Sequence, residues 1–174
     1  LFNFDRQVRN ILFKNLLVVE NNMKSIFSYQ LSKQYGYKEK DYLKATNFSR
    51  CPEKQRQIND LIRKMKRQIR INGGQHQATM HYIKNYGYIP LWVVVKVLSF
   101  GIVSELFTIM KEVDQEAIAD IYNVSKEDLM TYLPILANYR NLCAHEDIVF
   151  NHRTQKMIDD NGIHSYLDIP IQNG

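Results

Sequence analysis

Glycine and proline are scarce in this chain of 174 residues, with seven and four copies. Because these residues supply many turns and chain breaks, their scarcity argues against a turn-rich β fold and favours long helices. The hydrophobic fraction of 45% and the charged fraction of 24% are those of a chain that can bury a core. We therefore predict an all-α protein, one domain over residues 1–174 with a weakly structured tail at 160–174. Because the chain begins with Leu1 and not with Met, we expect its natural N-terminal segment to be missing.

Cysteine and long apolar runs are also rare. Cys51 and Cys143 lie far apart and outside any CxxC pattern, so neither a disulfide framework nor a zinc site is predicted. Two free thiols fit a reducing cytoplasm. The most apolar stretch, 91–110, contains Lys96 and Glu105, whereas a membrane span needs about 20 mainly apolar residues with few charges. We expect a cytoplasmic protein with no membrane contact, no metal and no cofactor.

Positive charge is concentrated in one segment. Between Arg50 and Arg70 there are eight basic and two acidic residues, a net charge of +6, while the rest of the chain has 15 basic and 16 acidic residues. Such concentration indicates a polyanionic partner more than general solubility. The alternatives that remain are a membrane-surface helix, which the lack of Trp and Phe anchors on its apolar side disfavours, and a simple solvated face.

Apolar residues at spacings of three and four predict a long first helix from Asp5 to about Gln34, ended by Gly36. The same reasoning predicts an amphipathic helix from Pro52 to Ile71 with the basic cluster on its outer side. The other predicted helices span residues 77–85, 90 to about 111, 114–122, one capped by Ser125, and one from Ile135 to about Val149. Pro134 is expected to kink or divide the helix that begins at Ser125.

The most informative stretch is Arg140-Asn141-Leu142-Cys143-Ala144-His145. On a helix Asn141 and His145 share a face, and Arg140 lies about 140° round the axis from His145. Arg offers a fork of donors for phosphate oxygens, His moves protons near neutral pH, and Asn can orient either group. These are the groups that metal-free RNA cleavage needs. The alternative is a surface Arg with a capping His, and in both cases we expect Leu142 and Ala144 to face the core.

Several blocks of the sequence together resemble the Abi (abortive infection) family, over about residues 2–153. The Arg-Asn-x-Cys-Ala-His block is the most specific of them. The others, in chain order, are Phe4-Asp5-Arg6-Gln7-Val8-Arg9, Pro90-Leu91-Trp92, Ser99-Phe100-Gly101 and Asn151-His152-Arg153. The sequence departs from the family pattern at Glu146, where a basic or polar residue is expected.

The resemblance implies a HEPN-like helical bundle, because the Abi family belongs to the HEPN superfamily. Nuclease members of that superfamily share an Arg-x(4–6)-His motif and usually bring two copies together at a dimer interface. Carried over to this chain, Arg140 and His145 would be catalytic and Asn141 would support them. The implied function is a metal-independent endoribonuclease toxin in phage defence that acts as a homodimer.

Two alternatives to this function stay open. The first is a HEPN module that binds RNA, such as a regulatory noncoding RNA, without cutting it. The second is a DNA-binding regulator that uses a helix-turn-helix over residues 115–133, although Glu127 and Asp128 would face phosphate poorly. The residues predicted to bind RNA are Lys54, Arg56, Arg63, Lys64, Lys66, Arg67, Arg70 and Arg153.

Overall fold

The computed structural model describes residues 1–155, 157–160 and 162–170. This part of the chain is helical and contains no strand, which confirms the all-α prediction. The helices are α1 (Phe2–Tyr35), α2 (Glu39–Tyr42), α3 (Gln55–Asn72), α4 (Gln77–Tyr86), α5 (Leu91–Val97), α6 (Phe100–Ile109), α7 (Glu112–Ala119), α8 (Lys126–Ala144) and α9 (Gly162–Tyr166). Short 3-10 turns occur at Ala45–Asn47, Pro52–Lys54 and Asp120–Tyr122. The end of the predicted tail, 171–174, lies outside the described residues.

Helix α1 spans 34 residues, about 51 Å at 1.5 Å per residue, and packs against α5, α7 and α8. Its buried face includes Leu16, Met23, Phe27 and Leu31, as the apolar spacing predicts. Ile11, which the same spacing placed on that face, is 65% exposed, so this part of the prediction is wrong. Toward the N-terminus this face continues through the partly buried Leu12 and Phe13 to two buried charged residues, Asp5 and Arg9.

The centre of the core is α6, whose Phe100, Val103, Leu106 and Phe107 are fully buried. This helix packs against α8 and α3. The ring of Phe107 lies 5.9 Å from that of Phe27, between ring centres, which joins α6 to α1. Such aromatic pairs add about 0.5–1.5 kcal/mol beyond the burial of their surface.

The single helix predicted from Pro90 to about Lys111 is in fact two helices, α5 and α6. Leu98 is extended with ψ 141°, and the hydroxyl of Ser99 accepts the amide of Ile102 at 3.3 Å as the cap of α6. Both helices contact α3, but the break lets α5 pack mainly on α1 and α6 mainly on α8. Apolar periodicity alone does not reveal such a break.

Helix α8 begins as predicted, because the Ser125 hydroxyl accepts the amide of Asp128 at 3.0 Å. It then runs through Pro134 without being divided, and it ends at Ala144, five residues earlier than the predicted end. Proline removes one backbone hydrogen bond. Buried side chains before and after it, Leu133 and Ala137, continue the contact with the core and offset that loss.

No helix in the described ranges is both long enough and apolar enough to cross a membrane.

Candidate functional site

The end of α8 is attached to α1 by a small apolar cluster. Leu16 of α1, Cys143 of α8 and Val149 of the following loop are each buried there, at 5–7% exposure. Burial raises the pKa of the Cys143 thiol. The prediction that Ala144 faces the core is wrong, because Ala144 is exposed, and Leu142 is only partly buried. Cys143, which lies between Leu142 and Ala144 in the sequence, is the residue that faces the core.

Arg140 is held by a carboxylate of α1. Its Nε donates to Oε2 of Glu20 at 2.7 Å, and the Nζ of Lys24 lies 2.7 Å from Oε1 of the same carboxylate. The side chains of Glu20 and Lys24 are 4% and 10% exposed, whereas that of Arg140 is 27% exposed. Both carboxylate oxygens are therefore engaged below the surface, and the guanidinium extends from them toward solvent.

Sequence reasoning missed Glu20, although a signal for it was present. Glu20 falls four residues after Leu16 and three before Met23, which is the spacing of the buried face of α1. A glutamate at a core position is rarely left unpaired, because burying a lone charge is costly. The interrupted apolar stripe indicated that Glu20 must be paired with a cation, either Lys24 one turn later or a residue of another element.

Asn141 and His145 are exposed. His145 is the C-terminal cap of α8, and its backbone amide donates to the Asn141 carbonyl at 3.0 Å, which preserves the one-turn spacing between the two side chains. Among the described residues, no group forms a hydrogen bond with the His145 imidazole. The motif therefore presents an anchored arginine, an amide and an accessible imidazole at one end of one helix.

The loop after His145 is held by Asp5. The Oδ1 of Asp5 accepts the amides of Val149 and Phe150 at 2.8 and 2.9 Å, and its Oδ2 accepts a bond from Arg9 at 2.9 Å. The two amides, with the Arg9 charge, hold the pKa of this carboxyl below its usual value despite its burial. Asp5 and Arg9 belong to the N-terminal block that the family resemblance includes.

Arg9 fixes the first part of the same loop. Its Nη1 donates to the carbonyls of Glu146 and Asp147 at 3.2 and 3.1 Å. Glu146 has φ 60°, a left-handed conformation uncommon for residues other than glycine. The departure of this position from the family pattern thus coincides with the sharp turn that ends the motif helix.

The predicted basic face is present on α3, where Ile58, Leu61, Ile62 and Met65 are buried against the core. The outer side forms a groove that we call the α3 groove, lined by Glu53, Arg56, Gln57, Asp60, Arg63, Lys64, Lys66, Arg67, Arg70 and Glu105. Arg63 pairs with Asp60, and Lys64 pairs with Glu105 at 2.7 Å. In the described part of the chain, no ion pair involves Arg56, Lys66, Arg67 or Arg70.

Two of the predicted RNA-binding residues lie elsewhere. The Nζ of Lys54 donates to the Thr108 carbonyl at 2.8 Å near the end of α6, so this amine already has a structural partner. Arg153 is exposed beside α8, in a hollow that it shares with His152 and Asn138. The imidazole of His152 is 2.8 Å from the Asn138 Oδ1. Arg153 therefore lies beside the middle of α8 and not in the α3 groove.

The structure does not bring the α3 groove and the motif together. Among the described residues, no hydrogen bond, ion pair or cavity joins the groove to Arg140, Asn141 or His145. Helix α6 contacts both α3 and α8 and lies between them in the packing. The chain thus carries two separate candidate sites for RNA.

The helix-turn-helix alternative gains no electrostatic support. Helices α7 and α8 are joined by a turn in which Asn123 has φ 54°, as such a motif can have. However, Lys126 at the start of α8 is 3.4 Å from Glu112 and 3.0 Å from Glu116, so its charge is already paired. A helix that begins with a neutralised lysine, Glu127 and Asp128 is poorly suited to phosphate.

Within the described ranges, no three or more His, Cys, Asp or Glu side chains are placed so that they could hold a metal ion.

The described residues thus form an all-α fold in which α8 ends in the Arg140–His145 motif. The family model of the Abi-like proteins matches residues 1–151. The chain therefore belongs to the Abi-like family, whose name associates it with abortive infection, a form of phage defence. No curated protein and no solved structure matches it.

Replacing Asp5 with Asn tests the bonds that hold the motif loop. The pKa of Asp5 is lower in the folded state than its unfolded value of 3.8, so the ionised carboxylate stabilises the fold at a pH above 3.8. This contribution is lost as the pH falls through the pKa of the folded state. We expect Asp5→Asn to lower the melting temperature at neutral pH, and the difference from wild type to shrink below pH 3.8. Hydrogen exchange should show lost protection of the Val149 and Phe150 amides.

Asp147→Asn is the matched control, since it makes the same chemical change in the same loop at an exposed side chain. It should leave both measurements close to wild type. A melting difference for Asp5→Asn that persists unchanged in acid would show that the carboxylate charge is not what holds the loop.

Proposed function

We propose that this protein is a HEPN-type endoribonuclease toxin of phage defence. It would use the side chains of Arg140, Asn141 and His145 to cleave RNA without a metal ion. One observation carries the proposal: Arg140 is fixed by the buried Glu20 carboxylate at the helix end where the His145 imidazole is accessible. An arginine held in place by a buried carboxylate is preorganised for a phosphate that gains charge, and the His145 imidazole on the same helix end can transfer protons.

The chemistry requires two proton transfers. A base removes the proton from the RNA 2′-hydroxyl, whose oxygen attacks the adjacent phosphorus as the bond to the 5′-oxygen breaks. An acid protonates that leaving oxygen, so the products are a 2′,3′-cyclic phosphate and a 5′-hydroxyl. Arg140 stabilises the charge on the non-bridging oxygens, and Asn141 orients the phosphate or the imidazole.

One imidazole cannot conveniently be both base and acid in a single step, which is the chemical reason for a homodimer. A two-fold axis beside the motif would bring two copies of His145 into a common cleft. The surroundings favour such a contact, because Ile148 and Phe150 are apolar and 60% and 41% exposed, and Ala144 is small and exposed. The interface would then include the end of α8 and the 146–150 loop.

The first test is RNA cleavage by purified protein in EDTA. Wild type should leave 2′,3′-cyclic phosphate ends, and Arg140→Ala and His145→Ala should each lose at least about a hundredfold in rate. His152→Ala is the matched control, since that imidazole is bonded to Asn138 and not directed to the motif. Its rate should stay near that of wild type.

Two results would contradict the catalytic assignment. Undiminished cleavage by His145→Ala would remove His145 from the reaction. A strict requirement for Mg²⁺ would reject the mechanism. Thermal denaturation of each variant separates lost chemistry from lost folding.

The dimer is tested by sedimentation at micromolar concentration. Ile148→Ser with Phe150→Ser should shift the protein to monomer and lower cleavage, because the exposed apolar surface beside the motif is removed. The outer face of α1 provides a matched control, since Ile11 and Val18 are 65% and 63% exposed there.

Ile11→Ser with Val18→Ser should leave the dimer intact. If this pair breaks the dimer and the loop pair does not, the subunits meet away from the motif. The composite site would then be wrong.

The second candidate function, RNA binding without cleavage, is favoured by the α3 groove, whose unpaired cations lie apart from the motif. A noncoding RNA held there would need no reaction at His145. This reading becomes the leading one if wild type binds RNA and does not cut it.

The contribution of the α3 groove is measured by the salt dependence of RNA binding. Arg67→Gln with Arg70→Gln should weaken binding and reduce the log–log slope by about 0.7 for each lost contact to a single strand. Arg63→Gln should have a smaller effect, because that guanidinium is already paired with Asp60. Lys14→Gln, on an exposed part of α1, is the control. If the double variant leaves the salt dependence of RNA binding unchanged, the groove is only a solvated face.

A further inference from the structure

A group of aromatic rings lies on the surface at the C-terminal end of α1, far from the motif. The centre of the Tyr37 ring is 5.6 Å from that of Tyr88 and 5.8 Å from that of Trp92, and the Tyr86 and Tyr88 centres are 6.2 Å apart. We call these four residues the aromatic cluster. Tyr37, Tyr86 and Trp92 are 41%, 58% and 42% exposed, so their rings are not consumed by the core.

The backbone beneath the cluster is well supported. Tyr37 follows α1, and its carbonyl accepts the amide of Leu91 at 3.2 Å at the start of α5. The Tyr42 hydroxyl donates to the Ile89 carbonyl at 3.0 Å in the segment between Tyr88 and α5. Three chain segments therefore meet at fixed positions, and the rings are held in place before any ligand arrives.

Positive charge surrounds the rings. The Nζ of Lys38 lies 5.0 Å from the centre of the Tyr88 ring, and Lys40 and Lys66 line the same hollow as Tyr86 and Tyr88. Glu39, also in this hollow, accepts the Ile89 amide at 2.5 Å and is directed into the protein.

Lys66 lines both this hollow and the α3 groove. Through Lys66, the Tyr86 and Tyr88 side of the cluster thus adjoins the unpaired cations of α3. A single path joins exposed rings to a line of positive charge.

We infer that the aromatic cluster is a stacking platform for unpaired bases of single-stranded RNA, with Lys38, Lys40 and Lys66 holding the phosphates. Exposed rings beside a cationic groove are the combination with which proteins bind single strands, because every base has a flat face and every linkage a negative charge. An apolar protein segment would leave these ammonium groups without partners. The inference rests on the proposed RNA partner and adds to it the kind of RNA.

The position of Trp92 makes the inference measurable, because it is the single tryptophan of the chain. A base stacked on the cluster should quench its fluorescence. The probe is a 2′-O-methyl uridine oligomer of about ten nucleotides, labelled at one end, which a 2′-hydroxyl nuclease cannot cut. Anisotropy of the label reports binding, and tryptophan emission reports stacking.

We expect the oligomer to bind and to quench Trp92. An abasic oligomer of the same length keeps the phosphates without the bases, and a duplex keeps its bases paired; both should quench far less. Binding without quenching would overturn the inference while leaving the RNA function intact. If the oligomer does not bind but the protein cleaves total RNA in EDTA, the inference is also overturned and the RNA function is again left intact.

Absent binding and absent cleavage would overturn both proposals. Quenching that grows with protein concentration when no RNA is added would instead make the cluster a contact between copies of this chain.

Substitutions of Tyr86 test whether its aromatic ring is the group that binds the bases. Tyr86→Ala should weaken binding about five- to a hundredfold, whereas Tyr86→Phe, which keeps the ring, should bind like wild type. Tyr29→Ala is the matched control, because Tyr29 is 63% exposed on α1 outside the cluster. Normal affinity in Tyr86→Ala, or equal losses in Tyr86→Ala and Tyr86→Phe, would reject stacking.

Discussion

The buried carboxylate of Glu20 is the interaction on which the candidate catalytic site depends. It receives Arg140 from α8 and Lys24 from its own helix, each at 2.7 Å, in a place that water scarcely reaches. A carboxylate in such surroundings is tolerated only with its partners present. Helix α8 must therefore dock on α1 in the register that brings Arg140 to Glu20, and this register also sets where His145 emerges.

Asp5 constrains the chain beyond the motif in a similar way. Asp5 and Glu20 are 15 residues apart on α1, about 22 Å along its axis, and each fixes a different part of the α8 end. Glu20 holds the last turns of the helix through Arg140, while Asp5 holds the loop through the amides of Val149 and Phe150. The first helix thus works as a rigid frame for a site whose proposed reactive groups all come from the other end of the sequence.

Binding and cutting are carried by different parts of the fold in the proposed function. The motif lies toward the N-terminal half of α1, whereas Tyr37 follows its C-terminus, 17 residues and about 25 Å beyond Glu20. The cations of α3 lead away from Tyr86 and Tyr88 along a separate face. An RNA held on that face must extend well beyond it to reach His145, which favours a long, flexible substrate over a short one.

The helical class, the amphipathic α3 and the Arg140–His145 motif were predictable, since they depend on spacing, composition and a specific block of residues. The break between α5 and α6 was not, because both segments are apolar and their periodicity does not show that one packs mainly on α1 and the other mainly on α8. The end of α8 was placed too late for a related reason. Ile148 and Val149 are apolar residues that a continued helix could bury, but Asp5 and Arg9, more than 130 positions earlier, bind the backbone of residues 146, 147, 149 and 150 in a non-helical loop.

The sequence by itself determined which residues carry charge and which can transfer protons. Only the tertiary structure decided that Glu20 anchors Arg140, that Lys54 is bonded to Thr108 outside the α3 groove, and that Tyr86 and Tyr88 meet beside Lys66. The physical reason is that periodicity describes the faces of one helix, whereas these arrangements depend on which helices meet. That choice is made by the fit of whole surfaces and by the need of each buried charge for a partner.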